Sequence, residues 1–219
     1  MKTIGLIGGM SWRSTIEYYR IINELIQNKL GGWHSAKILL YSIDFDEIEK
    51  DNTLIDAAKS LERGGADFIL ICANTSHNLY KIIQSSVKIP ILHIADATAK
   101  KVKAAKIKTV GLLGTKRTME EDFYKGRLER MHGLKVIVPQ EKERELINKE
   151  INNLCLGKED PQAKQQFIQI INNLVKNGAE GIILGCTEIP LLIQQKDVKI
   201  PLFDTTKIHA ESAVEYALK

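Results

Sequence analysis

The chain has 219 residues, of which 44% are hydrophobic and 26% charged, and its formal net charge is +4. This length suits one or two domains with a sizeable core, and the composition is that of an ordinary globular protein. No run of 18 apolar residues is available to span a membrane. Basic and acidic residues alternate, as at 141–145, and aromatic residues make up 6%, so we expect no nucleic-acid and no membrane partner.

The first half of the chain begins directly with a strand pattern and lacks the pattern of a signal peptide, which predicts a cytoplasmic location. Its apolar runs are typical of buried parallel strands and lie at residues 4–7, 38–41, 68–71 and 89–94. Amphipathic periodicity predicts helices over residues 15–30 and 54–63, the second ending at a pair of glycines.

The second half continues the same alternation. Its predicted strands lie at residues 110–113, 135–138, 182–184 and 200–203. Its predicted helices lie at residues 119–130, 165–176 and 209–218. We expect the last helix to pack back on the first half. Strands that alternate with helices indicate an α/β fold with doubly wound parallel sheets.

The two halves also repeat each other. Three segments of the first half resemble three segments of the second, in the same order and at similar offsets: 3–9 and 109–115, 65–71 and 178–184, 87–92 and 198–203. Each copy is about 110 residues long, a usual domain size. We therefore predict two pseudo-symmetric lobes, residues 1–97 with 208–219 and residues 98–207. Because ligands bind beyond the carboxyl ends of parallel strands, we expect one active site in a cleft between the lobes.

The first pair of loops at the strand ends is Gly8-Gly9-Met10-Ser11-Trp12 and its counterpart at 114–118. Glycine there would let backbone N–H groups approach an anion, although a tight strand-to-helix turn without a ligand explains it equally well. The spacing is not GxGxxG, which argues against a nicotinamide site.

The second pair of loops is Cys72-Ala73-Asn74-Thr75-Ser76-His77 and Gly185-Cys186-Thr187-Glu188-Ile189-Pro190. The repeat puts Ala73 opposite Cys186, while Cys72 falls opposite Gly185. Adjacent strand positions point to opposite faces, so we expect Cys72 to point away from the side that Cys186 faces. The remaining cysteine, Cys155, is interpreted as a small buried hydrophobe. No cysteine or histidine spacing suggests a metal site.

The segments GGMSW, GTKRTM and GCTEIPLL resemble the aspartate/glutamate racemase family, and the resemblance covers essentially the whole chain. It is closer to the bacterial aspartate/glutamate racemases than to the cell-wall glutamate racemases, which usually carry histidine where Glu188 stands. The resemblance implies a homodimer that racemises an acidic amino acid with two thiols, one on each face of the substrate, and with no pyridoxal phosphate or metal. Cys186 matches the second-lobe thiol, and Ala73 stands where the first-lobe cysteine would be.

Alanine can neither donate nor accept a proton, so a two-thiol shuttle is impossible here. A water held by Asn74, Thr75 or Ser76 could serve the second face, giving a slow or biased racemase; some family members carry threonine in place of Ala73. The chain could instead perform one-sided chemistry, as related decarboxylases with a single cysteine do. A third possibility is that Ala73 is an engineered or degenerate substitution, leaving an impaired relative that only binds amino acids.

Substrate contacts follow from the same loops and from the resemblance. The predicted substrate-binding residues are Met10, Ser11, Asn74, Thr75, Ser76, Thr115, Thr118, Thr187 and Glu188. A side-chain carboxylate favours a cation, and the candidates are Lys116, Arg117, Lys142 and Arg144. His77 and His209 are expected to support the site, and His93 to be a core residue. The segment 47–52 is shorter than in the family, so a contact supplied there could be missing.

Overall fold

The computed structural model describes residues 1–48, 52–158 and 160–219, and the chain divides into two units. The first comprises Met1–Ile94 with Thr206–Lys219, and the second Ala95–Thr205. The limits derived from the repeat, 1–97 with 208–219 and 98–207, remain a proposal for where independently folding domains divide.

The first unit is a parallel four-stranded sheet with the strand order β2-β1-β3-β4. Its elements are β1 (Ile4–Gly8), α1 (Trp12–Leu30), β2 (Ile38–Ser42), α2 (Thr53–Arg63), β3 (Phe68–Ile71), α3 (Tyr80–Ser86) and β4 (Ile91–Leu92). One face of the sheet packs against α1 and the last helix, and the other against α2 and α3. The last helix therefore packs on this unit, as predicted.

The second unit repeats this order as β6-β5-β7-β8, again with parallel strands. The remaining elements of the chain are α4 (Ile94–Ala104), β5 (Thr109–Gly114), α5 (Lys116–Glu120), α6 (Lys125–His132), β6 (Lys135–Ile137), α7 (Glu141–Cys155), α8 (Ala163–Lys176), β7 (Gly181–Gly185), α9 (Ile189–Leu192), β8 (Leu202–Asp204) and α10 (Thr205–Ala217). The two parallel sheets with flanking helices confirm the predicted fold class. Among the described residues, no helix is long and apolar enough to cross a membrane.

The repeat extends to individual hydrogen bonds. The backbone N–H of Thr3 donates to the Asp67 carboxylate, and that of Thr109 donates to the Glu180 carboxylate at 2.9 Å. In the same way, the side chains of Gln84 and Gln195 each donate to a backbone carbonyl just before the last strand of their own sheet and accept from the N–H of that strand's first residue. Equivalent side chains thus form hydrogen bonds with equivalent strand ends in both units.

The predicted helix over residues 119–130 is wrong, because the structure has two helices, α5 and α6, with a break between them. Glu121 leaves α5 with an extended backbone, φ −81° and ψ 155°. Met119 and Tyr124 are both fully buried. In one continuous helix their side chains would point about 140° apart, so the break lets both reach the core.

The last strand of each sheet is shorter than predicted. The runs at 89–94 and 200–203 give only Ile91–Leu92 and Leu202–Asp204. Each of these strands follows a proline, Pro90 or Pro201, which has no N–H to donate to a neighbouring strand. The proline carbonyls still accept, from Ile69 and Ile182 respectively.

Candidate functional site

The carboxyl end of β7 is held unusually close to β5 by two glycines. Gly114 and Gly185 are paired in register. A Cβ on Gly185 would lie 2.8 Å from the Leu113 carbonyl oxygen, and one on Gly114 would lie 3.0 Å from the Thr118 methyl carbon. This close approach places the start of α5 beside the strand end, directly before Cys186.

Cys186, Thr187 and Glu188 form a hydrogen-bonded cluster at this strand end. The Cys186 thiol donates to Glu188 Oε2 at 3.0 Å, and the Thr187 hydroxyl donates to the same oxygen at 2.7 Å. Cys186 is 7% exposed and Glu188 2% exposed. The cluster therefore combines a thiol with a carboxyl group that accepts its proton, in a site largely shielded from water.

Burial and the neighbouring Glu188 carboxylate raise the pKa of Cys186 well above its ordinary value. One contact acts in the opposite direction, since the backbone N–H of Glu188 bonds the sulfur and favours the thiolate. Cys186 is thus a thiol at rest, which is the form that can donate a proton.

The second carboxyl oxygen of Glu188 is left without a well-formed hydrogen bond. Oε1 is buried and accepts none from residues 1–48, 52–158 or 160–219. An unmade hydrogen bond at a buried polar atom costs about 1–3 kcal/mol. Such an atom is suited to receive a donor from a ligand.

Cys155 is not the buried hydrophobe that the sequence suggested. It ends α7 and is exposed. Its thiol lies beside Glu188, and partial desolvation together with that carboxylate raises the pKa of Cys155 to about 12. The charge of Cys155 also acts on Cys186. Sequence spacing gave no hint of this neighbour, because Cys155 and Cys186 lie 31 positions apart in the chain.

Thr115 and Thr118, both predicted to bind substrate, lie together at the start of α5. Their hydroxyl oxygens are 3.0 Å apart, and the Thr118 N–H donates to Thr115 Oγ1. Thr118 is fully buried. Thr115 therefore acts as the N-cap of the helix, while the backbone N–H of Lys116 donates to the Asn148 side chain.

In the first unit the end of β3 carries no thiol equivalent to Cys186. Cys72 is 1% exposed and packs in the apolar cluster between the sheet and helices α1 and α10, where burial raises its pKa. Ala73 packs against the cluster on the other face, with α2 and α3. The two neighbouring side chains thus lie on opposite faces, as strand geometry predicted.

The remaining loop residues of the first unit are bonded mainly to each other. The Ser76 hydroxyl lies 2.9 Å from the Met10 sulfur, and Ser11 caps α1 by accepting from Ser14. The Gly9 N–H, a candidate anion donor, is already bonded to Thr15. Gly9 has φ +91°, and a Cβ there would clash with the backbone of Ile43, so this glycine serves a tight turn. Asn74 is buried, and Thr75 is partly exposed.

Three buried histidines stack behind the end of β3. The Ile94 N–H donates to His77 Nε2, so the ring proton lies on Nδ1, which donates to the Ala73 carbonyl at 2.7 Å. His209 Nε2 donates to the Leu92 carbonyl, and its Nδ1 accepts from a tyrosine hydroxyl. His93 stacks on His77. Neutral His77 thus orients the backbone of residue 73.

Two of the four candidate cations are engaged in ion pairs. Arg117 pairs with Glu121 at 2.6 Å, and Arg144 pairs with Glu120 at 2.7 Å. Lys116 and Lys142 are exposed. In the segment 47–52, residues 49–51 lie outside the described residues. Within the described ranges, no three His, Cys, Asp or Glu side chains are grouped as a metal site requires.

The chain is similar to known proteins in both sequence and fold. Residues 7–213 match the family model described as Asp/Glu/hydantoin racemase. The chain is 28% identical to the broad specificity amino-acid racemase RacX of Bacillus subtilis, with 96% of each chain covered. A solved structure from Yersinia pestis, assigned as an Asp/Glu racemase, is 48% identical with a TM-score of 0.93, and an aspartate racemase homologue from Pyrococcus horikoshii is 38% identical with a TM-score of 0.88; both matches cover 100% of each chain. The chain belongs to the Asp/Glu/hydantoin racemase family of isomerases.

Proposed function

We propose that this protein racemises an acidic amino acid, aspartate or glutamate, by exchanging the proton on Cα, with Cys186 as its main acid and base and without a cofactor. The observation that carries the proposal is the buried Cys186 thiol that donates to Glu188 at the carboxyl end of β7. The family membership, the relative named as an amino-acid racemase and the solved structure named as an aspartate racemase homologue support it.

Cys186 begins the cycle as a thiol and therefore acts first as a proton donor. Once the Cα–H bond on the opposite face has broken, the Cys186 proton moves to the free face of the resulting carbanion, where a C–H bond forms as the S–H bond breaks, and the Glu188 N–H stabilises the thiolate that remains. Glu188 Oε1 is free to accept from the substrate ammonium group. In the reverse direction the thiolate removes the Cα proton.

In the first unit, Ala73 stands at the position that the repeat aligns with Cys186, so we propose that no thiol serves the opposite face of the substrate. We propose that a water held by Asn74, Thr75 or Ser76 takes the proton there, and that His77 fixes the local backbone through the Ala73 carbonyl. A water is a weaker base than a thiolate, so we expect slow turnover. Because the two enantiomers are equally stable, kcat/KM must be the same for both. The enzyme can still differ between them in kcat and in KM, provided that the two constants change by the same factor.

Substrate anchoring is proposed on both strand-end loops. Met10, Ser11, Asn74 and Thr75 contribute from the first unit. Thr115, Thr118, Thr187 and Glu188 contribute from the second. Arg117 and Arg144 are paired with glutamates. A side-chain carboxylate would therefore bind through Lys116 or Lys142, through hydroxyl and backbone donors, or by displacing one of these pairs. Since one relative has broad specificity, neutral and basic amino acids belong in the substrate panel.

The test is deuterium incorporation at Cα in D₂O, followed by NMR for both enantiomers of aspartate and glutamate and for alanine and lysine as comparisons. We expect exchange with aspartate or glutamate and its loss in Cys186→Ala. If neither enantiomer of either acidic amino acid exchanges, racemisation of acidic amino acids is the wrong function.

A one-cysteine decarboxylase or isomerase is the second candidate. The observation that favours it is that Cys186, whose equivalent in the first unit is Ala73, rests in the donor form and can protonate one face of a carbanion left by loss of CO₂. Mass spectrometry separates the two, since decarboxylation lowers the product mass and racemisation does not. Tight binding of aspartate without exchange would instead indicate an impaired relative that binds amino acids.

We further propose a homodimer in the cytoplasm. Trp12, Ile16 and Tyr19 share one face of α1, and each is more than half exposed. The exposed residues Leu40 and Tyr41 lie on the edge strand β2. Three free cysteines suit a reducing compartment. Light scattering should give twice the chain mass, and Ile16→Lys should reduce it; a monomeric wild type would contradict the dimer.

A further inference from the structure

Helix α7 holds the short helix α5 at both of its ends. At the start of α5, the Asn148 side chain accepts from the backbone N–H of Lys116 at 2.9 Å. At the last residue of α5, Glu120 accepts from Arg144 at 2.7 Å, and the two side chains of this ion pair are 34% and 20% exposed. Arg144 also donates to the Pro139 carbonyl just before α7. Two side chains of α7 thus hold opposite ends of α5.

The spacing of the two contacts matches one helical turn on each helix. The contacted residues of α5, Lys116 and Glu120, lie four positions apart, and so do Arg144 and Asn148 on α7. Residues four apart share one face of a helix and are separated by about 6 Å along its axis. The later residue of α7 contacts the start of α5, so the two helices run antiparallel here. One face of α7 therefore contacts α5 along its whole length.

Helix α5 depends on such contacts because it has only five residues, and so short a helix is not stable by itself. Its inner side is fixed by Thr118 and Met119, which are fully buried. The helix carries one of the two hydroxyl groups proposed to bind substrate, that of Thr118, and is capped by the other, that of Thr115. A shift of α5 would move both groups, so their place in the site depends on what holds the ends of the helix.

We propose that Arg144 and Asn148 are positioning residues for the racemisation, which act through α5 and keep the Thr115 hydroxyl in place for the substrate. This inference rests on the proposed function. It assigns Arg144 to Glu120 rather than to the side-chain carboxylate of the substrate, because displacing Glu120 would release the end of α5. The alternative, in which Arg144 leaves Glu120 to bind that carboxylate, predicts the opposite response when the charge of Glu120 is removed.

Glu120→Gln separates the two roles of Arg144. If Arg144 positions α5, loss of the ion pair should raise KM for the acidic amino acid about tenfold and leave kcat within about twofold of the wild type. If Arg144 binds the substrate, its release from Glu120 should lower KM. Arg144→Gln should raise KM by the same factor as Glu120→Gln, and the double variant by no more than either, since all three remove one ion pair. Asp122→Asn, which breaks an exposed pair with Arg130 of α6, is the matched control and should leave KM unchanged.

The contact at the start of α5 is tested by Asn148→Ala, which should also raise KM. Asn148→Asp keeps an oxygen that accepts from the Lys116 N–H and should stay near the wild type. Circular dichroism and urea unfolding establish that each variant is folded. A variant that only reduces the amount of folded enzyme lowers the apparent kcat without raising KM.

Three results would overturn the positioning role while the racemase function stands. They are an unchanged or lower KM in Glu120→Gln, an equal rise of KM in the control Asp122→Asn, and a rise of KM in Asn148→Asp as large as that in Asn148→Ala. An inactive wild type would overturn both the positioning role and the proposed function.

Discussion

The ends of β3 and β7 occupy the same place in two sheets of the same topology, yet they carry different chemistry. At β7 a thiol, a hydroxyl and a carboxyl group are joined by short hydrogen bonds. At β3 the equivalent position is Ala73, whose carbonyl accepts from neutral His77. The repeat has thus preserved strand pairing and strand-end hydrogen bonds in both units, while the thiol bonded to a carboxyl group stands at the end of β7. Symmetry of the fold does not require symmetry of the chemistry.

Glu188→Gln should have the largest effect on the cluster at the end of β7 while leaving the Cys186 thiol in place. The amide can still accept from Cys186, but it has no charge to raise the thiol pKa or to bind an ammonium group. We expect exchange activity to fall about 100-fold, within the range for a lost acid–base partner. The pH midpoint for alkylation of Cys186, followed by peptide mass spectrometry, should move to lower pH. A midpoint that stays in place would show that Glu188 does not control the thiol.

The complementary substitution introduces a thiol at the end of β3. Ala73→Cys restores a thiol opposite Cys186 in the repeat, so a positioned base replaces water on the second face. The rate of enantiomer interconversion should rise about tenfold, measured by chiral chromatography. Ala73→Ser, similar in size but a poor base, is the control and should change little. An unchanged rate in folded Ala73→Cys would mean that the second face is not limiting.

The buried histidines of the first unit predict an acid-sensitive fold. Burial lowers the pKa of His209 from 6.5 to about 3. Because the unfolded chain binds this proton more readily, stability is present above pH 6.5 and is lost as the pH falls towards 3. The loss should approach about 1.4 kcal/mol per pH unit, read from urea unfolding at several pH values. His209→Gln should weaken this dependence of the unfolding free energy on pH. An equally steep dependence in that variant would mean that other groups cause it.

The smallest expected effect compares the two cysteines that we place outside direct catalysis. Cys72→Ser puts a hydroxyl into an apolar cluster and should cost about 1–3 kcal/mol of unfolding free energy. Cys155→Ser, at an exposed position, should stay within about 0.5 kcal/mol of the wild type. Urea denaturation measures both. Equal destabilisation by the two substitutions would contradict their different burial.

The features that could be predicted from sequence are those set by local pattern. Apolar runs located the strands, and the internal repeat aligned Ala73 with Cys186 and placed Cys72 on the opposite face. These conclusions need only strand periodicity and the equivalence of two copies. The carboxyl group beside the thiol was also within reach, because Glu188 follows Cys186 by two residues.

Features that depend on tertiary packing were missed. Helix α7 is rich in alternating charges and was not among the predicted helices, although it buries Ile147 and Ile151. Without that helix there was no means to bring Cys155 to Glu188. The break between α5 and α6 likewise follows from the need to bury both Met119 and Tyr124, which local propensity does not encode.

The central claim is that the chemistry of this protein depends on the one thiol at the end of β7. The most direct measurement is chiral analysis of L-aspartate and L-glutamate incubated with the wild type and with Cys186→Ala at equal concentration. The account predicts that the wild type forms the D enantiomer of at least one substrate, and that Cys186→Ala forms it at least 100-fold more slowly. Equal rates for the two proteins would contradict it.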